Sequence, residues 1–574
     1  MTHISTMTEQ FAQYALEGFC SSNSHIVQHV FDGVMRRKES RKRKVAVVIG
    51  GGSGHYPAFV GYVGTGFADA AVVGDIFASP STRQICDIVR LASKNAGVLL
   101  GFGNYAGDVL NFGFAAERLR GEGLDVRVLG ITDDIASAPI GRETERRGVC
   151  GDLPVFKIAG ASAERGDDID TVERLARLAN SRTHSFGIAF GGCTLPGADK
   201  PLFTVKKGMM AIGLGIHGEP GIETRPLENA EDIAMLLVDR ILLERPQGSF
   251  GRAAVIVNGL GGTKYEELYV LWNYVRKALL SQNITPVIPL VGEYITSLDM
   301  EGCSLTLTWL DDELEPLWRA ACDTAALHLT DSEQEDRPAS GDGPPVAVPE
   351  ASVKATESGD ARKAGLLVAE GVVRIAKMLA ENAEELGWID AQAGDGDHGL
   401  GMARGSAAAA KAAQEAVSLG AGPASVLTAA ADAWADRAGG TSGAIWGLGL
   451  RSAASELSDY GVMTGQQAVR GARRALENIM EFGGAKVGDK TLVDALSPFV
   501  ETLTEALERG GTLKSSWRKA EKAAQDAAIA TAALSPKRGR AKPLAERSLG
   551  HRDAGAVSFA MTTKTILDLV EQNS

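Results

Sequence analysis

Short apolar runs punctuate the first half of the chain: VAVVIG at 45–50, AGVLLGFG at 96–103, VRVLGIT at 126–132, SFGIAF at 185–190 and AVIVNGL at 254–260. Runs of this length, rich in Val and Ile and separated by helix-like segments such as NFGFAAERLRGEGL, predict buried parallel strands with crossover helices. Beyond residue 360 the period changes. Val368, Val372, Ile375, Leu379 and Leu386 recur at spacings of four, three, four and seven, which places them on one helical face. Alanine-rich segments such as GSAAAAKAAQEAV continue the pattern, and Ala is the best helix former. The expectation is an α/β region followed by an all-α bundle.

Between the two lies DSEQEDRPASGDGPPVAVPEASVKATESGD, which has no aromatic residue and the Pro, Ser, Glu and Asp content of a solvated linker. The reading is a domain over 1–332 with two α/β subdomains meeting near 185, a flexible linker over 333–360, and a second domain over 361–574. A chain of 574 residues, 44% hydrophobic, is long enough for several cores.

A formal net charge of -13 argues against nucleic-acid binding through bulk electrostatics. The exception is the basic run RRKESRKRK, Arg36 to Lys44, read as a solvated helix end ahead of a buried strand. Six cysteines without a CxxC suit reduced thiols, and neither a signal-peptide pattern nor an apolar stretch of membrane-spanning length is present. The expectation is a soluble cytoplasmic protein.

The densest chemistry is DAQAGDGDHGLGM, where Asp390, Asp395 and Asp397 fall within eight residues. Like charges so close call for a cation, and oxygen-only ligands suit Mg²⁺ or Ca²⁺. The EF-hand spacing fails, because its twelfth position counted from Asp395 is Ser406. A plain Asx-turn opening the next helix is the alternative. Glycine-rich turns follow at GGTSGAIWG, GGAKVGDKTLVDAL and RSLGHRDAGAVSF, each able to present backbone N–H groups to phosphate or simply to connect helices. In the first half, VVIGGGSGHYP breaks the dinucleotide fingerprint at His55, and GFGNYAGDVLNF carries Asp108 just past a strand. GLGIHGEPG holds a lone histidine, His217, among glycines.

Taken in order, GGGSGHYP, GNYAGDVLNF, GIHGEPG, GDGDHG, GDKTLVDAL and RSLGHRDAGA resemble the dihydroxyacetone kinase family in the form that fuses the ketose-binding and ATP-binding parts. The resemblance implies that His217 adds to a ketone as a reversible hemiaminal, a covalent device that rejects polyols. It implies that Gly52, Ser53 and His55 hold the ketose and that Asp108 is the general base. His55 is also implied as catalytic. Asp390, Asp395 and Asp397 would bind two Mg²⁺ ions. His398, Gly399, Leu400, Gly401, Thr441, Ser442, Gly483, Leu492, Arg540, Asp553, Ala554 and Gly555 would bind ATP, the co-substrate. The implied fold is two α/β subdomains and an antiparallel eight-helix barrel, and the implied assembly is a homodimer.

Two departures bear on the substrate: Tyr56 stands where the common pattern has Glu, and Gly103 where it has Lys. The segment Thr132 to Gly148 also departs from the commoner sequence. These changes favour erythrulose, with dihydroxyacetone as the alternative. A ketose-sensing regulator without turnover is the reading from another class, disfavoured by Asp108 and the three acids on one polypeptide. A phosphoenolpyruvate-dependent system is disfavoured by the fusion.

Overall fold

The computed structural model describes residues 4, 10–38, 43–246, 248, 251–330, 353–392, 396–537 and 545–572, and it divides into two compact units, Met1–Pro338 and Ala339–Ser574. In the first unit, one sheet carries six strands in the order Val27–Val30, Gly33–Arg36, Ala70–Ile76, Ala46–Ser53, Val98–Gly103 and Val126–Ile131. The last four run parallel, and an antiparallel hairpin finishes the edge. Val48, Ile49 and Leu100 are fully buried, so helices cover both faces, as unbroken Val, Ile and Leu runs require. The chain leaves Ala46–Ser53 for the strand on one side and then crosses to Val98–Gly103 on the other. Such a reversal opens a crevice at the carboxyl ends of these strands, where GGGS and GFG lie.

The second sheet runs Glu223–Pro226, Met209–Ile212, Thr183–Ala189, Gly302–Trp309 and Arg252–Gly259, with Thr285–Pro286 and Leu290–Gly292 paired to the last. Parallel strands were expected throughout, but Gly302–Trp309 lies antiparallel to both Thr183–Ala189 and Arg252–Gly259. Burial on both faces produces an apolar run whatever the strand direction, so SFGIAF and AVIVNGL could not reveal it. The intervening strand is masked by its threonines, which pair inside the sheet: Thr306 with Ser185 at 2.6 Å and Thr308 with Thr183 at 2.8 Å between hydroxyl oxygens.

The two ends of the basic run depart from a solvated helix end, while Arg37, Lys38 and Arg43 are exposed. Arg36 closes a strand and reaches Asp69 at 3.0 Å and Glu164 at 2.7 Å, while Lys44 reaches Asp69 at 2.6 Å. Both cations are buried, so charge pairing, invisible in a local window, decides their place.

In the second unit, eight helices of fifteen or more residues occur among the described residues: Gly359–Glu381, His398–Ser418, Pro423–Ala438, Gly440–Ala454, Gly465–Gly483, Val493–Glu508, Leu513–Ala530 and Ala554–Gln572. Each packs on the next and the last returns to the first, closing a ring around an apolar interior that includes Val372, Ile375, Trp446 and Phe499. Short connections make neighbours antiparallel. Leu386, read as continuing the face of Val372 and Leu379, sits on a separate short helix, Ala383–Ala391, because the chain breaks at Asn382. All six cysteines are free and buried. No helix among the described residues is long and apolar enough to cross a membrane.

Candidate active site

Two clusters of polar residues stand out, one in each unit. In the α/β unit, the strand Ala46–Ser53 ends in glycines because its surroundings leave no room for a β-carbon. One added at Gly51 would lie 2.3 Å from the Phe59 ring, and one at Gly52 would lie 2.7 Å from the backbone nitrogen of Ala78. The next strand, Val98–Gly103, runs into the helix Ala106–Gly121 and delivers Asp108 in its first turn. Together with the turn around His217 these segments enclose a cavity of about 250 Å³, lined by Gly52, His55, Tyr105, Asp108, Asp152 and His217 among others. Ser53 does not line it, and its hydroxyl donates to the carbonyl of Gly74 at 2.7 Å.

The glycines around His217 now have a physical reason. Gly213 and Gly218 adopt φ of +71° and +84°, and a β-carbon at Gly215 would lie 2.1 Å from a carboxylate oxygen of Glu219. That carboxylate folds back over the turn. One oxygen accepts the His217 backbone N–H at 3.0 Å and the other faces Nδ1 at 3.2 Å. Burial works to raise the Glu219 pKa, but hydrogen bonding and charge from His217, with Arg147 adding, outweigh it and carry the carboxyl down to about 2. Arg147 is itself held at 2.7 Å by Asp134.

The other face of His217 meets His55, with the two Nε2 atoms 3.0 Å apart. The Nδ1 of His55 lies 2.8 Å from the Thr296 carbonyl, which only accepts, so that nitrogen carries the proton. Burial and the neighbouring His217 push His55 down to about 3, so the ring is neutral and its Nε2 is an acceptor. One proton is therefore shared between the Nε2 atoms, donated from the His217 side. Phe77 stacks on His55 and, with Tyr105, presents its ring to His217 at near right angles. Asp108 is pushed up to about 6 by burial, against the pull of a hydrogen bond with Ser79 and of His217.

In the helical unit, Asp390 accepts the backbone N–H of Gly396 at 2.9 Å and of His398 at 3.4 Å. Asp397 precedes the helix His398–Ser418 and so belongs to the same loop. Asp395 and Arg540 lie outside the described residues. Among the described residues no three His, Cys, Asp or Glu side chains are assembled for a metal. The donors present, carboxylate oxygens and no sulfur, still suit a hard divalent cation such as Mg²⁺.

Of the nucleotide residues expected from the sequence, all the described ones but Gly483 lie at or beside the starts of helices. His398 is buried, with Nδ1 3.2 Å from the Ser442 hydroxyl and Nε2 3.0 Å from that of Ser558. Its ring thus links the three helices that begin at His398, Gly440 and Ala554, and helix starts leave backbone N–H groups able to bind an anion. Thr441 and Ser442 follow Gly439 and Gly440, both at positive φ. Gly401 caps back onto the Asp397 carbonyl at 2.9 Å. Gly399 packs so closely on Ala383 that a β-carbon would lie 1.9 Å from its carbonyl oxygen, while Leu400 points to solvent. Asp553, just before Ala554 and Gly555, accepts the Ala556 N–H at 2.7 Å, and Leu492 packs beside Gly555. Gly483 closes the helix Gly465–Gly483, and none of these contacts reaches it.

Several residues escaped sequence reasoning. Glu219 and Tyr105 lie inside quoted motifs, and a histidine that needs orienting was the signal for a nearby acid. Lys490, whose Nζ donates to the carbonyls of Leu534 at 3.1 Å and Ser548 at 2.6 Å, is in GDKTLVDAL. Asp152 gave no signal.

Residues 17–326 match the Dak1 domain and residues 392–568 the DAK2 domain. An L-erythrulose kinase of Pectobacterium atrosepticum is 50% identical over 99% of this chain and 96% of its own length. A D-erythrulose kinase of Mycolicibacterium smegmatis is 49% identical over 99% of each. Among solved structures, the dihydroxyacetone kinase of C. freundii in complex with AMP-PNP and Mg²⁺ superposes with a TM-score of 0.62 at 30% identity, covering 99% of both chains. With both domains on one polypeptide and kinases matching it from end to end, the chain belongs to the dihydroxyacetone kinase family in its single-chain form.

Proposed function

We propose that this enzyme is an ATP-dependent kinase that phosphorylates a terminal hydroxyl of erythrulose while the sugar is bonded to His217. The observation that carries the reading is the His217 ring, held by Glu219 at 3.2 Å and His55 at 3.0 Å over a cavity that also contains Asp108. Whole-chain identity near 50% with erythrulose kinases supports the sugar.

The chemistry follows from the proton shared by the two imidazoles. Donors at both ring nitrogens, Nε2 toward His55 and Nδ1 toward Glu219, make His217 an imidazolium at the start. Its Nε2 proton passes to Nε2 of His55, the freed lone pair bonds to the carbonyl carbon as the C=O pair moves to oxygen, and His55 returns the proton to that oxygen. The product is a hemiaminal on an imidazolium whose Nδ1–H faces the ionised Glu219. Positive charge is thus offset throughout, and glycerol, having no carbonyl, cannot enter the sequence. Asp108 then takes the proton of the attacking hydroxyl as its oxygen bonds to the γ-phosphorus and ADP leaves. Residues 1–332 hold the ketose, 333–360 are linker and 361–574 hold the nucleotide. There the helix starts at His398, Gly440 and Ala554, with Thr441, Ser442, Leu492 and Asp553, cradle the phosphates. Asp390 and Asp397, with Asp395, are the oxygen donors for two Mg²⁺ ions, which supply charge neutralisation when bound.

The same reading makes the enzyme a cytoplasmic homodimer that needs neither nucleic acid nor membrane. Buried thiols fit a reducing compartment, and sedimentation measures the dimer. Steady-state ADP release with D-erythrulose, L-erythrulose, dihydroxyacetone and glycerol tests the function. Sustained turnover on one erythrulose enantiomer with the highest kcat/KM, and none on glycerol, is expected. A preference for dihydroxyacetone refutes the sugar, and no turnover on any ketose refutes the kinase.

A further inference from the structure

The ketose cavity contains more hydrogen-bonding capacity than the mechanism uses. Three buried polar atoms that line it have no partner in the protein: Oδ1 of Asp108, the hydroxyl of Tyr105 and Oδ1 of Asp152. A buried polar atom left unpaired is costly, so three around one cavity mark places where a ligand completes the bonding. Asp108 is accounted for by the hydroxyl that attacks.

Asp152 is built into its place. It begins the helix Asp152–Arg165 and is 3% exposed. The turn before it is fixed by Asp133, whose carboxylate accepts the N–H of Val149 at 2.8 Å and of Gly151 at 2.7 Å. A β-carbon at Gly151 would lie 2.4 Å from the Asp133 carboxyl carbon, so glycine is what lets the turn pack this closely on Asp133. Tyr105 sits beside His217, ring centroids 4.7 Å apart, and a β-carbon at Gly103 would touch its ring at 3.4 Å.

A four-carbon ketose bonded through C2 carries three hydroxyls, one on C1, one on C3 and one on C4. When one attacks the phosphate, two remain, whereas a three-carbon ketose leaves only one. We infer that Asp152 and Tyr105 recognise the two non-attacking hydroxyls of a ketotetrose and so set the preference for four carbons over three. Burial, with Asp133 and Asp108 adding negative charge, pushes the Asp152 carboxyl well above the carboxylate range. As a neutral acid it both donates to one sugar oxygen and accepts from a hydroxyl, which a carboxylate cannot do. A site left with such a group unpaired discriminates against the shorter substrate.

This assignment rests on the ketotetrose reading above, and one experiment separates the two. Measure kcat/KM for both erythrulose enantiomers and for dihydroxyacetone in wild type, Asp152→Asn and Tyr105→Phe. The ketotetrose value should fall about 10- to 100-fold in Asp152→Asn and about 10-fold in Tyr105→Phe, whereas dihydroxyacetone, which keeps one of the two hydroxyls, should change less than about 3-fold in one of the two variants. A wild-type enzyme that prefers dihydroxyacetone overturns the ketotetrose reading and the assignment with it. A wild-type ketotetrose preference that both variants retain, or an equal loss on both sugars in both variants, overturns the assignment alone. Should Asp152→Asn fail to fold, the ratio in Asp152→Ser and Tyr105→Phe decides in the same way.

Discussion

Aspartates serve both units, but in opposite surroundings. Asp108 and Asp152 in the α/β unit line a cavity where burial raises the pKa of their carboxyls. Asp390 in the helical unit instead accepts two backbone N–H groups from the loop that holds Asp397. The second setting is a polar loop that carries oxygen donors, while the first is a desolvated pocket that raises carboxyl pKa values. On the proposed reading, the α/β unit chooses the substrate and the helical unit manages phosphate charge.

Mutations should respect that division. Removing the nucleophile has the greatest consequence: His217→Ala lowers kcat/KM for erythrulose about 10³- to 10⁴-fold and abolishes the gap between ketose and glycerol. Retained discrimination against glycerol would falsify the covalent role. Asp390→Asn and Asp397→Asn should each reduce turnover about 10²- to 10³-fold and raise the Mg²⁺ needed for half activity, with His217 still able to capture the ketose. Loss of ketose capture in these variants would erase the division between units.

Asp108→Asn should cost about 10²-fold, and it should also change the pH profile. Asp108 accepts a proton only as carboxylate, and its pKa is raised to about 6, so wild-type kcat/KM is full above that pH and falls with tenfold steps per unit below it. The acid limb should vanish from the profile of the variant's residual activity. Glu219→Gln should lower kcat/KM about 10-fold, because the ring stays in place but its charge loses compensation. A smaller change is expected in the helical unit: Ser558→Ala removes one of the two hydroxyls on His398 and should destabilise that unit by about 1 kcal/mol, read as a drop of a few degrees in Tm.

Much of this was legible in the sequence because parallel strands buried on both faces leave an unmistakable apolar run, and VAVVIG and AGVLLGFG led directly to GGGSGHYP and Asp108. The six motifs led to the two clusters for the same reason, since each marks a chain turn at the end of a strand or the start of a helix. What stayed hidden depends on contacts distant in sequence. Gly302–Trp309 alternates threonine with apolar residues, and only its pairing with Ser185 and Thr183 shows that the hydroxyls face inward. Arg36 and Lys44 read as solvated until Asp69 and Glu164 are brought to them. Asp152 follows an ordinary glycine turn, and nothing local distinguishes it from a helix-capping acid.

The most direct test is a crystal structure of the enzyme soaked with its preferred erythrulose enantiomer in the absence of ATP. Electron density continuous from Nε2 of His217 to a tetrahedral C2 is the predicted result. A planar ketone resting in the cavity at van der Waals distance from the ring would contradict it.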